Sequence, residues 1–443
     1  MSKALKEKWS TLENDDEKVR DFQRKLYRKA KQEPKFCFYI LYDKMSLPYI
    51  LREAYRRCAS NQGSPGIDGQ SFEDIREKGV EVLLEEIERE LKDGTYKPQM
   101  VLRKYIPKAN GKMRPLGIPT IKDRVVQMAC KMVIEPIFEA DFEESSYGYR
   151  PKRSAKDAVE KIKENLKEGL TEVYDADLSA YFDTIPHKEL MYLVGLRIKD
   201  RRILRLIKMW LKTPVYEDGR PSGGKKNKKG TPQGGVISPL LANIYLHLLD
   251  KAIKRVGGIF KATGVAMVRY ADDFVLMTRK LTERCLEYLK GMLERMKLKI
   301  NEEKSRIVNA RKESFNFLGF TFRYDKDIYG RNKRYWNVIP SEKSEKKVRG
   351  NIDTCLKKNG HKAPAELVHK LNYIIRGWIN YFEIPGVSYP KKAKRNMRWY
   401  LVEKLYRYYR RKSQRKCKLY RQGAFEILVS RYGLINPYKM QIS

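Results

Sequence analysis

Cysteine and histidine are scarce, and no long apolar run occurs. The 443 residues include 6 cysteines and 4 histidines. Cys37, Cys58, Cys130, Cys285, Cys355 and Cys417 are scattered and none belongs to a C-x-x-C pair. Neither a disulfide framework nor a zinc cluster is expected, and reduced thiols in a cytoplasmic protein are. No apolar stretch reaches the roughly 18 residues that a membrane-spanning helix needs. The charged segment Met1 to Arg20 lacks the apolar centre of a secretory signal. Acidic residues are the other shortage: 55 Asp and Glu face 94 Lys and Arg, leaving a net charge of +39. Such self-repulsion is best tolerated when a polyanion neutralises it. Nucleic acid is the first candidate and an anionic membrane surface the second. Hydrophobic residues make up 42% of the chain, enough for a sizeable core, so wholesale disorder is excluded. The length suggests roughly three domains.

No internal repeat is evident. Residues 1–35 read as a charged helical or loosely ordered leader, with folded structure beginning near Phe36. Residues 60–69 are dense in turn formers and form a loop. Val101 to Arg114 reads as a hairpin whose tip, Pro107-Lys-Ala-Asn-Gly-Lys112, is basic. A helix is expected from Asp123 as N-cap to Pro136. Residues 172–178 read as a strand and Gly219 to Gly230 as a loop. A helix follows with Ser238 as N-cap, Pro239 in its first turn and Gly257 beyond its end. Strands 265–269 and 274–278 flank Tyr270-Ala-Asp-Asp273 as a hairpin. An amphipathic helix then presents Leu281, Cys285, Tyr288, Leu289, Met292, Leu293 and Met296 on one face. Segment 391–421 carries fourteen Lys and Arg against the single acid Glu403, with six aromatics interleaved. Salt pairing within a helix cannot balance that excess, and basic groups mixed with rings suit phosphate contact and base stacking.

The chemistry starts from the carboxylates. Asp272 and Asp273 sit side by side at a hairpin tip, which alone is only an Asp-rich turn. In a strand, Asp175 and Asp177 point to one face. If that strand lies beside the hairpin, an acid from it approaches Asp272 and Asp273. Two carboxylates about 4 Å apart repel by about 4 kcal/mol at an effective dielectric of about 20. Three together require protons or a cation. Oxygen-only ligands with open positions suit Mg²⁺, and two such ions can bracket an in-line phosphoryl transfer. That is the chemistry by which a 3′-hydroxyl attacks a nucleotide. Gly230 to Pro239 offers a glycine-rich approach to a nucleotide or template. Lys108 and Arg114, at the basic hairpin, suit a triphosphate.

The ordered set of motifs resembles the reverse transcriptase encoded by bacterial group II introns, with its maturase domain. The carrying stretches are Asn61 to Gly69, Ile106 to Lys108 with Arg114 to Pro119, Ser146 to Pro151, the Asp177 segment, and Gly230 to Pro239. Tyr270 to Asp273, Lys299 to Lys304, Phe317 to Phe320 and Arg376 to Phe382 complete them. The resemblance implies that Asp177, Asp272 and Asp273 bind metal and catalyse. Asp177 is preferred because Phe182 follows five residues later, where the family's ring excludes a 2′-hydroxyl; Asp175 stays open as an alternative. It further implies that Lys108, Arg114, Gln233 and Lys304 serve the nucleotide. Phe317, Leu318 and Gly319 would grip the primer, and Asn61 and Gly63 would hold template. Arg376, Trp378, Arg407, Arg410 and Arg411 would meet RNA.

The fold implied is α+β, the right hand of a polymerase: fingers, a palm with a small antiparallel sheet, and a helical thumb that is also the maturase domain. Its parts are a basic N-terminal extension (1–45), fingers and palm (46–335), thumb and maturase domain (336–425) and a short tail (426–443). The cofactor implied is Mg²⁺, two ions, with Mn²⁺ as a substitute. The partners implied are an RNA template, group II intron RNA, a DNA primer or target and dNTPs, with no membrane. The place of action implied is the bacterial cytoplasm, at the nucleoid. Many family members end in a His-Asn-His nuclease with cysteine pairs. Neither is evident here, so the expectation is the branch that lacks it. Two alternatives stay open, a non-catalytic RNA-binding splicing factor and a domesticated defence or repair reverse transcriptase.

Overall fold

The strand expected at 172–178 and the hairpin expected at 265–278 meet in one antiparallel sheet. The computed structural model describes residues 3–107, 111, 113–224, 227–327, 333–359, 362–411, 419 and 423–441. Its strands are β1 (Val101–Pro107), β2 (Met113–Ile118), β3 (Glu172–Ala176), β4 (Pro214–Glu217), β5 (Arg220–Gly223), β6 (Ala266–Tyr270), β7 (Asp273–Thr278), β8 (Arg306–Asn309), β9 (Phe315–Phe317), β10 (Phe320–Lys326) and β11 (Arg334–Pro340). They form three sheets, ordered β2-β1-β4-β5, β6-β7-β3-β8 and β11-β10-β9. The second is the palm, antiparallel throughout.

The palm sheet divides two cores, which explains why β7 is apolar from Phe274 through Met277. Successive side chains in a strand point to opposite faces. Phe274 and Leu276 enter a core shared with the N-terminal helices and helix Ser238–Lys254, together with Tyr174 and Ala176 of β3. Val275 and Met277 enter a second core with Val173 of β3. That core continues through helix Ala155–Lys167, strands β9 to β11 and helices Glu342–Lys358, Pro364–Phe382, Lys391–Arg411 and Ala424–Tyr432.

Several boundaries differ from those expected. The leader is a helix, Lys3–Gln32, with Val19 and Ala30 fully buried and Asp15 paired to Arg52 at 2.6 Å. It packs against helix Ile121–Glu139, whose cap is Thr120 rather than Asp123. The Asp123 carboxylate is instead a buried acceptor for the Tyr96 hydroxyl at 2.6 Å. The helix also runs through Pro136. A proline there frees the carbonyl four residues earlier, and Gln23 Nε2 donates to that carbonyl, Met132 O, at 2.9 Å. Ser238 does not cap its helix, since its Oγ donates to Pro232 O at 2.9 Å; the helix ends at Lys254, before Gly257. The first part of the 219–230 loop is strand β5, joined to β4 by Asp218-Gly219, both with positive φ, as the commonest tight hairpin turn requires.

The 335/336 boundary passes through β11, and the expected tail is folded, with Leu428 and Leu434 buried. Thumb and palm are stitched together by Lys163. This lysine is 4% exposed, and its Nζ donates to Gly386 O at 3.0 Å and Val387 O at 2.7 Å. The five described cysteines are free. No helix among the described residues is long and apolar enough to cross a membrane.

Lys163→Met keeps the stem of the side chain but removes the donor. Each carbonyl then orphaned should cost about 1–3 kcal/mol. Urea unfolding of the variant beside the parent measures this, and equal stability would refute the tie.

Candidate active site

The turn between β6 and β7 is a two-residue hairpin connection, Ala271-Asp272. Ala271 has φ 60°, a region in which a residue with a Cβ is strained. The surroundings hold it there. Arg269, fully buried, pairs with Asp250 through Nε to Oδ1 at 2.8 Å and Nη2 to Oδ2 at 2.5 Å. Its remaining nitrogen, Nη1, donates to Ala271 O at 2.9 Å and to Asn243 Oδ1 at 3.0 Å. Asn243 Nδ2 in turn donates to Gly148 O at 2.8 Å. Gly148 lies against the turn so closely that a side-chain carbon there would strike the Ala271 nitrogen. Segment 145–147 runs beside β6, with Arg269 N donating to Ser145 O and Tyr147 N donating to Arg269 O, both at 2.8 Å.

Asp177 lies one residue past the end of β3. Its Oδ2 accepts from Lys304 Nζ at 2.8 Å and Asn301 Nδ2 at 3.2 Å, and its amide donates to Ser305 Oγ at 3.1 Å. Burial, then the charges of Asp272, Asp177 and Asp175, push Asp273 up to about 7. Its side chain nevertheless opens to solvent, which leaves the like charges room for a ligand. Burial and then Asp177 raise Asp272 as well. Asp175 stands across from Val275 on one side and Arg306 on the other. Burial moves it up to about 6, with Arg306 opposing and Asp177 assisting. The hydrogen bond to Asp177 holds the Lys304 ammonium above its ordinary value.

The three expected acids are thus brought within electrostatic reach of one another, with Lys304 among them. Among the described residues, no three acids, histidines or cysteines stand in coordinating geometry; Asp177 is turned toward Lys304 and Asn301. The donor set still fits a hard divalent cation. It offers carboxylate oxygens only, and it contains two acids whose ionisation the site opposes until a positive charge arrives.

A second group of residues lies beside the acids. Arg114 Nε donates to Gln233 Oε1 at 3.0 Å, and Gln233 Nε2 donates to both oxygens of Asp183 at 3.0 and 2.9 Å. Thr231 N donates to Phe182 O at 2.7 Å, so the 230–235 loop is fastened to the Phe182 segment. Phe182 itself is buried against Tyr181. Lys108 and the side chain of Arg411 lie outside the described residues.

The 317–320 turn is tied to the thumb. Leu318 and Gly319 both have positive φ. Tyr381 Oη donates to Leu318 O at 2.9 Å and Ser344 Oγ to Gly319 O at 2.9 Å. The Phe317 ring is buried, so only Leu318 and Gly319 present the turn's tip. Asn61 is exposed and Gly63 lies against the Arg124 guanidinium. Arg376, Arg407 and Arg410 are exposed, with Arg407 paired to Glu403 at 2.5 Å. Trp378 is a correction: it is buried and packs on Phe382 at 4.8 Å, so it serves the core rather than an RNA surface.

The sequence reading gave no role to Arg269, Asp250 or Asn243, nor to Asp183. A signal existed for Arg269, which is the one charge in strand β6. Tyr149 was also missed. Although Tyr149 is about half exposed, partial burial and then the nearby Asp272 charge raise its phenol.

The reverse transcriptase (RNA-dependent DNA polymerase) family matches residues 106–322, and the group II intron maturase-specific domain matches residues 345–423. Protein YkfC of Escherichia coli (strain K12) is 36% identical, over 74% of this chain and 93% of that protein. The group II intron-encoded protein LtrA of Lactococcus lactis subsp. cremoris is 33% identical, over 64% of this chain and 56% of its own. This chain therefore spans little more than half the length of that relative. An uncharacterized 91 kDa protein in the cob intron of Schizosaccharomyces pombe is 28% identical, over 74% of this chain and 49% of its own. The sheets and helices described above are the palm, fingers and thumb of the polymerase right hand. Two domain matches in this order, with one relative covered over nearly its whole length, show that the chain belongs to the group II intron reverse transcriptase and maturase family.

Proposed function

We propose that this chain is an RNA-directed DNA polymerase that extends a primer 3′-hydroxyl with dNTPs, and that it also binds its group II intron RNA to assist splicing and retrohoming. The observation that carries the reading is the convergence of Asp177 with Asp272 and Asp273 at a turn held in a strained conformation. Residues 46–335 would supply fingers and palm, and 336–425 the thumb and maturase surface. Two Mg²⁺ ions, or Mn²⁺ in their place, held by Asp177, Asp272 and Asp273 would draw in the triphosphate and stabilise charge during in-line displacement.

The chain's own groups do the rest of the positioning. Arg114, exposed and oriented by Gln233, faces a triphosphate as a cation. Lys304 neutralises Asp177 in the metal-free state and is released toward the leaving pyrophosphate once that acid takes another partner. Phe182 lies beside Asp183, where a buried ring can exclude a ribose 2′-hydroxyl. Leu318 and Gly319, braced by Tyr381 and Ser344, would steady the primer end.

Three measurements test this. Replacing Asp272 and Asp273 together by Ala should reduce Mg²⁺-dependent cDNA synthesis to background while RNA binding persists; undiminished synthesis would eliminate the assignment. Phe182→Ala should relax discrimination against ribonucleotides in primer extension, and unchanged selectivity would refute the gate. The third is a pH test. Asp273 has a folded pKa of about 7 against 3.8 for the free side chain. The folded state therefore holds the extra proton between those values, and metal-free stability should fall as pH rises from about 4 to 7. Mg²⁺ should offset that fall, and Asp273→Asn should flatten it. Thermal melts across pH with and without Mg²⁺ decide, and a profile identical in the Asn variant would exclude Asp273 as the group concerned.

A further inference from the structure

Helix Arg201–Leu211 has the most sharply divided faces among the described helices, and one of them has no role in the site above. Ile203, Leu206, Ile207, Trp210 and Leu211 are buried in the first core. On the other side Arg201, Arg205, Lys208 and Lys212 follow one another at spacings of four, three and four residues. That pattern makes one stripe, about 16 Å long. Like charges at such spacing destabilise a helix by a few tenths of a kcal/mol per pair, so the stripe has a cost that the fold itself does not offset.

The stripe forms one wall of an open groove of 780 Å³. Lys188, at the start of helix His187–Arg197, and Lys228 complete the wall opposite. Among the described residues, no acid lines the groove. None of these six cations has an ion-pair partner among the described residues. Tyr192 projects at the rim and is 68% exposed. His187, in the floor, bonds Gly230 O through Nε2 at 2.6 Å and keeps its buried Nδ1 without a partner.

We propose that this groove is a second nucleic-acid interface, which docks the phosphate backbone of a folded RNA stem outside the polymerase cleft. A straight row of cations with one exposed ring suits a regular backbone better than splayed bases, which need several stacking rings. An anionic bilayer is disfavoured because the apolar face of this helix is already buried and has nothing left to insert. The proposal rests on the reading of the chain as an intron-RNA-binding polymerase and names where a stem would sit.

The test uses the full chain carrying Arg201→Gln, Arg205→Gln, Lys208→Gln and Lys212→Gln, beside Arg205→Gln alone. The probes are an RNA stem of about 16 base pairs, a DNA duplex of equal length, phosphatidylserine vesicles, and oligo(dT) annealed to poly(rA) for primer extension. The fourfold variant should lose about tenfold or more in stem affinity near 150 mM salt. Its log affinity against log salt should flatten by about 3 to 4, and that of the single variant by about 1. Primer extension should be retained. Unchanged stem affinity and slope would overturn the proposal, as would a loss confined to the DNA duplex or the vesicles. Parallel loss of primer extension would also overturn it, by assigning the cations to the cleft. The Asp272→Ala, Asp273→Ala variant should keep stem binding. A parent chain that needs the groove for the stem but copies no RNA would sink the polymerase reading and leave this one standing.

Discussion

The interaction on which the site depends is the buried pair Arg269–Asp250. A guanidinium fully out of water is tolerated only when its donors are met, and here Asp250 takes two and Asn243 and Ala271 share the next. Because one of its acceptors is the carbonyl of the strained Ala271, the pair sets the conformation of the turn that carries Asp272 and Asp273. Gly148 closes the turn from the other side. The carboxylates are thus held together by a network that none of them joins.

That arrangement explains why repelling acids persist in a folded protein. Desolvation and like charge act against ionised Asp273 and Asp272, offset by Lys304 at both and by Arg114 at Asp272. The site stores this repulsion because the sheet beneath it is apolar on both faces and packed into two cores. Natural proteins accept such local instability where a ligand is to supply the missing charge. The thumb braces the 318–319 turn and is tied through Lys163 to the helix packed on that sheet, so the turn and the acids share one scaffold.

Much of this was legible in the residues. The hairpin around Tyr270 to Asp273 was legible as two short strands separated by the length of a turn, and the amphipathic helix from the helical spacing of Cys285, Leu289, Met292 and Leu293, all of which are buried. Asp218-Gly219 was a readable hairpin signal that composition masked, since Lys and Gly surround it. Asp123 mimicked an N-cap because Asp suits that place, yet burial made it an acceptor for Tyr96. Pro136 mimicked a helix end because the residue that satisfies the freed carbonyl, Gln23, is over a hundred positions away. Trp378 was expected to meet RNA from the family resemblance alone; in the structure the face of helix Pro364–Phe382 that it shares with Phe382 turns into the second core.

The sequence alone determined the charge excess, the turn that pairs Asp272 with Asp273, and the order of motifs along the chain, because these follow from residue types and short-range geometry. Tertiary structure decided which distant groups become neighbours. The order β6-β7-β3-β8 brings Asp177 to the turn, and packing leaves Arg269 buried while Arg201, Arg205 and Lys208 face water. A charge inside an apolar strand and one on an amphipathic helix are alike as letters. They differ only in whether burial demands a partner at once or leaves the charge free to find one outside.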